Sequence, residues 1–299
     1  MTAATVIDCA GKPLDLTRPR VMGILNITPD SFSDGGVHYS FDAAFAQARQ
    51  MVAEGVDIID IGGESSRPGA LPVSQQEELD RVVPLIQALA AEIPVPISID
   101  TSKSTVMREA VNAGAGMIND IMALQEEGAL MAAAEAAVPV CLMHMQGEPR
   151  TMQANPHYDH VTRDILAFFS KRVADCESAG IARDRLLLDP GFGFGKTQEH
   201  NLQLLCELDT LLTLDLPLLV GISRKSMIGA ILDNAPVDQR LYGSIATAVM
   251  AVERGAAIIR VHDVKPTVDA VRVAAAVMRG HGGNRLQGAN LFTMNMPQS

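Results

Sequence analysis

Polar and charged side chains follow almost every apolar segment of this sequence, each at the point where a β-strand is expected to end. They are Asn26, Glu64, Asp100, Asn119, His144, Asp189, Lys225 and His262. Any one of them would serve as a helix cap or a loop residue, but eight in succession exceed what capping requires. Carboxylates and amides hydrogen-bond a polar ligand, and Lys and His bind an anion. We therefore interpret the set as one functional site.

The elements that must position these side chains alternate along the chain. Short apolar, β-branched runs alternate with longer amphipathic stretches rich in Ala, Glu, Gln and Arg. The predicted strands are Val21–Asn26, Asp57–Ile61, Pro96–Asp100, Gly116–Asn119, Val138–His144, Arg185–Asp189, Leu218–Ile222 and Ala257–His262. The predicted helices are Phe41–Glu54, Gln75–Ala91, Ser104–Ala113, Gly128–Ala136, Tyr158–Ala179, Glu199–Leu208, Gln239–Gly255 and Thr267–Met278.

This order of eight βα units predicts an α/β fold, a (β/α)8 TIM barrel, in which all the C-terminal strand ends meet at one mouth. A doubly wound open sheet is the alternative that the pattern leaves open. The chain has 299 residues, 47% of them hydrophobic but only 4% aromatic and none Trp, so aliphatic side chains must fill the core. We predict one barrel domain over residues 1–280 and a polar, partly disordered tail over residues 281–299.

Charge and cysteine content exclude several classes of partner. The net charge of −11 argues against a broad nucleic-acid surface or an anionic membrane, although a few basic residues can still bind a small anion. The N-terminus lacks the apolar stretch of a signal peptide, and the apolar run Leu211–Ile222 is too short to span a membrane. The four cysteines form no CxxC pair: Cys9, Cys141, Cys176 and Cys206. We predict a reduced, cytoplasmic protein.

Two rival motifs are incomplete. Gly195-Lys196-Thr197 resembles the end of a phosphate-binding P-loop, but that motif needs glycine where this chain has Pro190. The seven histidines show no HExxH or other compact ligand spacing, so no histidine-bound metal is predicted.

Two loop sequences are the most specific strings in the chain. Gly23–Gly36 reads GILNITPDSFSDGG and Gly62–Ala70 reads GGESSRPGA. Further strings follow in order at Ser98–Thr101, Ile118–Asp120, Leu188–Thr197, Gly221–Ser226 and Arg260–Asp263. Together they resemble the dihydropteroate synthases, a pterin-binding family of TIM-barrel enzymes, from about residue 20 to about residue 265. The family frequently has Thr at the position of Ser66, which implies a slightly roomier pocket here.

The resemblance implies a transferase of folate biosynthesis. It joins 6-hydroxymethyl-7,8-dihydropterin pyrophosphate to 4-aminobenzoate, forming a C–N bond and releasing pyrophosphate, with Mg²⁺ as cofactor. By the match, the pterin would be bound by Asp100, Asn119, Ile121, Met143, Asp189, Gly221 and Lys225. Pyrophosphate would be bound by Asn26, Arg260 and His262, and Asn26 would be the protein ligand of Mg²⁺.

The resemblance also assigns the second substrate and the catalytic residues. The aminobenzoate pocket would be formed by Phe32, Ser66, Arg67, Pro68, Phe194, Lys225 and Ser226. Catalytic roles would fall to Asp34, Asp100, Lys225, Arg260 and His262. A neutral aromatic amine has a free lone pair and needs no strong general base, which agrees with the lack of an evident Ser-His or Cys-His pair. The family further implies sulfonamide binding and a homodimer that contacts through helices near the C-terminal end.

Two alternative functions share the barrel. A pterin-binding corrinoid methyltransferase would not need the Ser66-Arg67-Pro68 pocket or the Arg260 and His262 pair. A non-catalytic paralogue would bind pterin without turnover and would have degraded loops, whereas both loop strings are intact.

Overall fold

The computed structural model describes residues 6–27, 36–64, 72–147 and 151–280, with the side chains of residues 36–40 and 280 excepted. The tail predicted over residues 281–299 therefore lies outside the described residues. The strands are β1 Val6–Cys9, β2 Lys12–Asp15, β3 Arg20–Asn26, β4 Ile58–Gly62, β5 Ile97–Asp100, β6 Met117–Asp120, β7 Val140–Met143, β8 Leu186–Asp189, β9 Leu218–Val220 and β10 Ala256–Val261.

The α-helices lie between and after these strands. They are α1 Gly36–Ala53, α2 Gln75–Glu92, α3 Ser104–Asn112, α4 Ala129–Ala136, α5 Val161–Ser178, α6 Gln198–Cys206, α7 Ser226–Ile231, α8 Leu241–Glu253 and α9 Val264–Gly280. Local signals explain their ends. The Ser74 hydroxyl accepts a hydrogen bond from the Glu77 amide at the start of α2, and left-handed glycines such as Gly114, at φ 115°, follow several helices.

The strands β3 to β10 form a closed parallel barrel in the order β10-β3-β4-β5-β6-β7-β8-β9. The parallel pairing of β10 with β3, from Ile258 opposite Arg20 to Val261 opposite Gly23, closes the ring. This closure confirms the predicted (β/α)8 barrel and excludes the open doubly wound sheet, whose edge strands stay unpaired with each other. In the part of the chain that the structure describes, no helix has the length and apolar character needed to cross a membrane.

Two separate hydrophobic cores flank the barrel wall. The larger one lies between the strands and the helices and includes Ile59, Ile61, Val82 and Leu85. The smaller one fills the barrel interior with Met22, Ile58, Met117, Cys141, Leu187, Leu219 and Ile258. Strand side chains alternate between two faces, so a residue in the smaller core identifies the inward-facing positions of its strand. Every strand in the barrel contributes such a residue except β5, which contributes to the larger core alone.

An antiparallel hairpin, β1 paired with β2, covers the N-terminal end of the barrel. Its Ile7, Cys9 and Leu14 belong to the interior core. The fit is close, because a Cβ atom added to Gly116 would lie 2.4 Å from the Cys9 carbonyl oxygen. The hairpin was not predicted from the sequence. It leaves the C-terminal end of the strands as the one described opening of the barrel interior.

Candidate active site at the mouth of the barrel

The inward side chains change from apolar to polar along the barrel axis. The strand residues of the smaller core, such as Met22 and Ile58, form the floor of the barrel interior. Two residues beyond each of them, toward the C-terminal strand ends, the inward positions are Ile24, Asp60, Asn119, Met143, Asp189, Gly221 and Arg260, together with Ser98 of β5. A further two residues along lie Asn26, Gly62, Asp100 and His262. The first of these sets is the middle layer and the second is the rim. Alternation along the strands therefore gathers the predicted polar residues of five different strands into one mouth, together with Asp60 of β4.

Arg260 lies between two carboxylates in this mouth. Its Nε donates to Asp60 Oδ2 at 2.6 Å and its Nη2 donates to Asp100 Oδ2 at 2.6 Å. Burial lowers the pKa of Arg260, but the two carboxylates outweigh burial and raise it above its ordinary value. Arg260 is therefore a permanent cation at the mouth, as a guanidinium is almost everywhere in proteins.

Asp100 is a rim carboxyl group that is close to losing its charge. Its side chain is only 12% exposed. Burial raises its pKa to about 7, because Arg260 only partly offsets the loss of solvation and Asp60, Asp120 and Glu78 add negative charge nearby. Asp100 consequently titrates near neutral pH.

Asp189 and Lys225 are oppositely charged groups that interact in the mouth. Asp189, at the end of β8, accepts a hydrogen bond from the Gly191 amide at 2.8 Å. Burial raises the pKa of Asp189 and the Lys225 charge opposes that rise. Burial also lowers the pKa of Lys225 to about 8, against the attraction of Asp189. The ammonium group donates to the Phe192 carbonyl oxygen and lies 4.4 Å from the centre of the Phe194 ring.

The two C-terminal loops of the barrel are tied to each other beside Lys225. The Ser223 hydroxyl oxygen lies 3.2 Å from the His262 backbone nitrogen, which donates to it, and 3.1 Å from His262 Nδ1. Arg224 and Asp263 form a two-bonded ion pair, with Nε to Oδ2 at 2.9 Å and Nη2 to Oδ1 at 2.5 Å. These contacts fix the loop that carries Lys225 relative to the end of β10.

The remaining predicted site residues divide into those near the mouth and those not described. Met143 faces inward from β7, Ile121 follows β6, and Phe194 is half-exposed in the loop after β8. Ser226 is the exposed first residue of α7. Five predicted residues lie outside the described residues: Phe32, Asp34, Ser66, Arg67 and Pro68.

Glu64 and His144, two of the eight polar strand ends, make their contacts with residues outside the middle layer and the rim, and His144 has the structural role expected from its sequence context. Glu64 pairs with Lys103, which also binds the buried Glu78 at 2.5 Å. His144 packs edge-on against Phe168 of α5, with ring centres 4.9 Å apart. Burial first, and the nearby charge of Lys196 second, lower the pKa of His144 to about 2, so its imidazole is neutral.

Lys196 is a buried amine that sequence reasoning missed. Its Nζ lies 3.0 Å from His144 Nδ1 and donates to the carbonyl oxygens of Gly191 at 2.9 Å and Phe194 at 3.0 Å. Burial lowers its pKa well below the usual range. Lys196 therefore holds the loop that carries Phe194 in place, and Asp60 is the second buried residue that the sequence analysis passed over.

We predict that Lys196→Met lowers both stability and affinity for the aromatic amine, 4-aminobenzoate, that the resemblance implies as a substrate. Leaving buried carbonyl groups without a donor costs about 1–3 kcal/mol each, so the free energy of unfolding should fall by on the order of 3 kcal/mol. Thermal unfolding measures this change. The KM for the aromatic amine should rise more than kcat falls, because the Phe194 loop loosens. Lys171→Met, at an exposed position of α5, is the control, and equal behaviour of the two variants would contradict the prediction.

Among the described side chains, no cluster of three His, Cys, Asp or Glu residues could hold a metal ion. The predicted metal ligand is Asn26 of the rim. Its Oδ1 lies 3.4 Å from the position that a Cβ atom of Gly62 would take. Glycine at position 62 thus leaves room beside the Asn26 amide.

Comparison with known proteins gives independent evidence of the family to which the chain belongs. The family model described as pterin binding enzyme matches residues 22–262. The chain is 57% identical over 262 residues to the dihydropteroate synthase of Haemophilus influenzae, covering 88% of this chain and 95% of that protein.

Solved structures agree with this result. The Yersinia pestis dihydropteroate synthase in complex with a sulfonamide drug superposes with a TM-score of 0.88 at 56% identity, covering 92% of this chain and 99% of that one. The Xanthomonas albilineans synthase with 4-aminobenzoic acid gives a TM-score of 0.87 at 51% identity, with the same coverage of 92% and 99%. That synthase has also been solved with 7,8-dihydropteroate.

Proposed function

The chain belongs to the pterin-binding enzymes and, among them, to the dihydropteroate synthases, and from that membership we propose the part that each residue of the mouth takes in the reaction. The enzyme is a transferase that condenses 6-hydroxymethyl-7,8-dihydropterin pyrophosphate with 4-aminobenzoate to give 7,8-dihydropteroate and pyrophosphate. The observation that carries the assignment of residues is the convergence of Asp100, Asn119, Asp189, Lys225 and Arg260 on one mouth.

We propose that the middle layer binds the pterin. The pterin ring presents an amidine-like pair of donors, and the Asp189 carboxylate accepts two such parallel hydrogen bonds. Asn119 and Lys225 supply a further acceptor and further donors. Met143 and Ile121 contact the ring faces. Gly221 leaves space for the ring, because a Cβ atom added there would lie in the barrel interior, 3.7 Å from the Arg260 Cβ.

We propose that Arg260 of the middle layer and His262 of the rim bind the pyrophosphate. Arg260 contributes a permanent positive charge, and His262, two residues along the same inward face, adds a second donor beside it. Both would receive the negative charge that accumulates on pyrophosphate as the C–O bond breaks. Asp100 lies between the pterin and Arg260, where its carboxylate favours positive charge on the reacting methylene.

We propose that Mg²⁺ is held mainly by the pyrophosphate. Asn26 offers one neutral amide oxygen, while the rim and middle-layer carboxylates Asp100 and Asp60 are engaged by Arg260. Mg²⁺ sites with few protein ligands rely on phosphate oxygens and water, and these residues fit such a site. When bound, the ion would neutralise charge on the pyrophosphate. Calorimetry should detect Mg²⁺ binding in the presence of pyrophosphate; equally strong binding to the enzyme alone would contradict the proposal.

We propose that ionisation of the pterin precedes attack by the amine. The carboxylates near the methylene stabilise the cation, and the neutral amine then attacks with its own lone pair. The Phe194 ring forms one wall of the aminobenzoate pocket, with Lys225 and Ser226 beside it. The loops after β3 and β4 would exclude water that competes for the cation. Their predicted site residues remain predictions: Phe32, Asp34, Ser66, Arg67 and Pro68.

The test of this assignment is a direct assay. Purified enzyme with both substrates and Mg²⁺ should release pyrophosphate and form dihydropteroate, and omission of either substrate should abolish release. Pterin binding without turnover would instead identify the non-catalytic paralogue. Methyl transfer to a corrinoid without dihydropteroate formation would identify the methyltransferase.

We predict a narrow pH optimum for kcat/KM. Asp100 must be ionised, so activity should fall as the pH drops through its raised pKa of about 7. Lys225 must be protonated, so activity should also fall as the pH rises through its lowered pKa of about 8. In Lys225→Arg, whose guanidinium keeps its proton, the alkaline limb should disappear even where overall activity is reduced. An unchanged alkaline limb in that variant would show that another group causes it.

We propose a cytoplasmic homodimer. The described cysteines are all free thiols, as expected in a reducing compartment. Apolar side chains are exposed on neighbouring helices, with Met250 of α8 at 46% and Val273 of α9 at 65%, and an exposed apolar surface of this kind suits a two-fold contact. Light scattering should give a dimer for the native chain and a monomer for Val273→Glu; a native monomer would contradict the proposal.

A further inference from the structure

Asp60 is a charged residue in the middle of the barrel wall that the proposed reaction has not yet used. It lies in β4 between Ile58 of the floor and Gly62 of the rim, with its side chain turned inward and 0% exposed. A carboxylate buried to this degree is unfavourable unless other groups compensate its charge.

The partners of Asp60 come from opposite sides of the barrel. Its Oδ2 accepts hydrogen bonds from Arg260 Nε at 2.6 Å and from Asn119 Nδ2 at 3.2 Å. Arg260 belongs to β10 and Asn119 to β6, and each of these strands is two strands away from β4 in the barrel order. Among the described residues, Oδ1 has no hydrogen-bond partner. The bonding of the carboxylate is therefore directed entirely at these two residues.

The contact with Nε sets which donors Arg260 can offer to a ligand. A guanidinium has five N–H donors in one plane. Asp60 takes the Nε donor and Asp100 takes one Nη2 donor. Two fixed contacts define the orientation of the plane and leave the remaining N–H groups for a bound anion. Asn119 is held in the same way, with its amide nitrogen on Asp60 and its amide oxygen left for a donor.

We propose that Asp60 is a positioning residue for the reaction: its buried carboxylate orients Arg260 toward the pyrophosphate and Asn119 toward the pterin, so that the scissile C–O bond is aligned between them. The inference rests on the proposed roles of Arg260 and Asn119. Asp60 touches neither substrate and acts through the two side chains that do.

The charge of Asp60 also acts on Asp100. The charged groups that act on Asp100 include Arg260 from β10, Asp60 from β4, Asp120 from β6, Glu78 from α2 and Lys225 from the loop after β9. Arg260 lowers the pKa of Asp100, whereas the three carboxylates raise it. Removing the Asp60 charge takes away one of these repulsions and leaves Arg260 more fully paired with Asp100. Both effects lower the pKa of Asp100.

The experiment compares Asp60→Asn with Asp57→Asn. Asp57 also carries ion pairs, to the exposed Arg18 at 2.9 Å and to the largely buried Arg20 at 2.8 Å, but it lies near the N-terminal end of the barrel. In Asp60→Asn we expect kcat/KM for the pterin substrate to fall about 10²-fold, as misalignment of reacting groups commonly costs. Inorganic pyrophosphate should bind more weakly by calorimetry. The KM for aminobenzoate should change little, and the acid limb of the pH profile should move to lower pH.

Asp57→Asn should lower the unfolding temperature without changing pyrophosphate affinity or the pH profile. If Asp60→Asn behaves like Asp57→Asn in these two measurements, the inference is wrong. Asp60→Glu keeps the charge that Arg260 needs and covers the case in which Asp60→Asn does not fold. Its longer side chain displaces the guanidinium, so pyrophosphate should again bind more weakly, and unchanged affinity would overturn the inference.

The two levels of proposal fail differently. If the native enzyme forms no dihydropteroate, or if Arg260→Ala binds pyrophosphate as well as the native enzyme does, the proposed function of the mouth is wrong. If the native enzyme is active and Arg260→Ala is impaired while both Asp60 variants retain native pyrophosphate affinity, only the role of Asp60 is wrong.

Discussion

Replacing Lys225 with alanine is expected to lower kcat/KM for dihydropteroate formation by about 10³-fold, because removal of one preorganised charged donor typically has this effect. In the proposed reaction, Lys225 interacts with both substrates. Its ammonium group interacts with Asp189 on the pterin side and lies 4.4 Å from the Phe194 ring on the aminobenzoate side. The KM for each substrate should therefore rise, and steady-state assays with each substrate varied in turn measure both effects.

The fold should survive Lys225→Ala. Lys225 is only partly buried, and its loop is held independently by the Arg224 and Asp263 ion pair. Circular dichroism and thermal unfolding should thus resemble those of the native enzyme. Lys265→Ala is a suitable control, since Lys265 is exposed and pairs only with Asp269 on the same helix among the described residues. Native turnover by Lys225→Ala would show that the residue has been misplaced.

Replacing Arg260 with alanine should damage both activity and stability. The rate should fall by about 10³-fold because the departing pyrophosphate loses a fixed cation. The variant also leaves Asp60 and Asp100 without their shared partner, and unpairing a buried charge costs about 3 kcal/mol or more. The remaining repulsion raises the pKa of Asp100 further, since Arg260 is the group that lowers it. The acid limb of the pH profile should therefore move to higher pH, opposite to its movement in Asp60→Asn.

Arg108→Ala serves as the control for Arg260→Ala, because Arg108 forms an exposed ion pair with Glu135 at 2.9 Å and such pairs contribute little. Chemical denaturation measures the loss of stability, and activity at several pH values measures the shift. Arg260→Lys separates charge from geometry, since lysine keeps the charge but lacks the fork that binds two carboxylates. Native pyrophosphate affinity in Arg260→Ala would contradict the assignment.

The sequence predicted the barrel because periodicity records it directly. Each strand in the barrel is a short apolar run bounded by turn residues, and the predicted Val21–Asn26 differs from the observed β3 by one residue. The hairpin of β1 and β2 was missed because Val6–Cys9 and Lys12–Asp15 are too short and too mixed to produce a period. Helix α7, of six residues, was missed for the same reason.

The site was predicted less completely, because the pairing of Asp60 and the orientation of His144 depend on tertiary contacts. Asp60 stands within an apolar strand, where its spacing of two from Ile58 and Gly62 marks an inward position once the strand is known. Its pairing with Arg260, 200 residues away, has no local signal. Conversely, His144 follows a strand as the proposed site residues do, and its contacts with Phe168 and Lys196 show that it packs elsewhere.

Among the described residues, the hairpin closes the N-terminal end of the barrel, so the entrance to the site lies at the C-terminal end. Both substrates must enter and both products must leave by the same route, so dihydropteroate and pyrophosphate have to clear before the next pair can load. When chemistry is fast, departure of products limits turnover. Product that accumulates is therefore expected to inhibit substrate binding. The rate of this step then depends on how quickly later reactions consume the product.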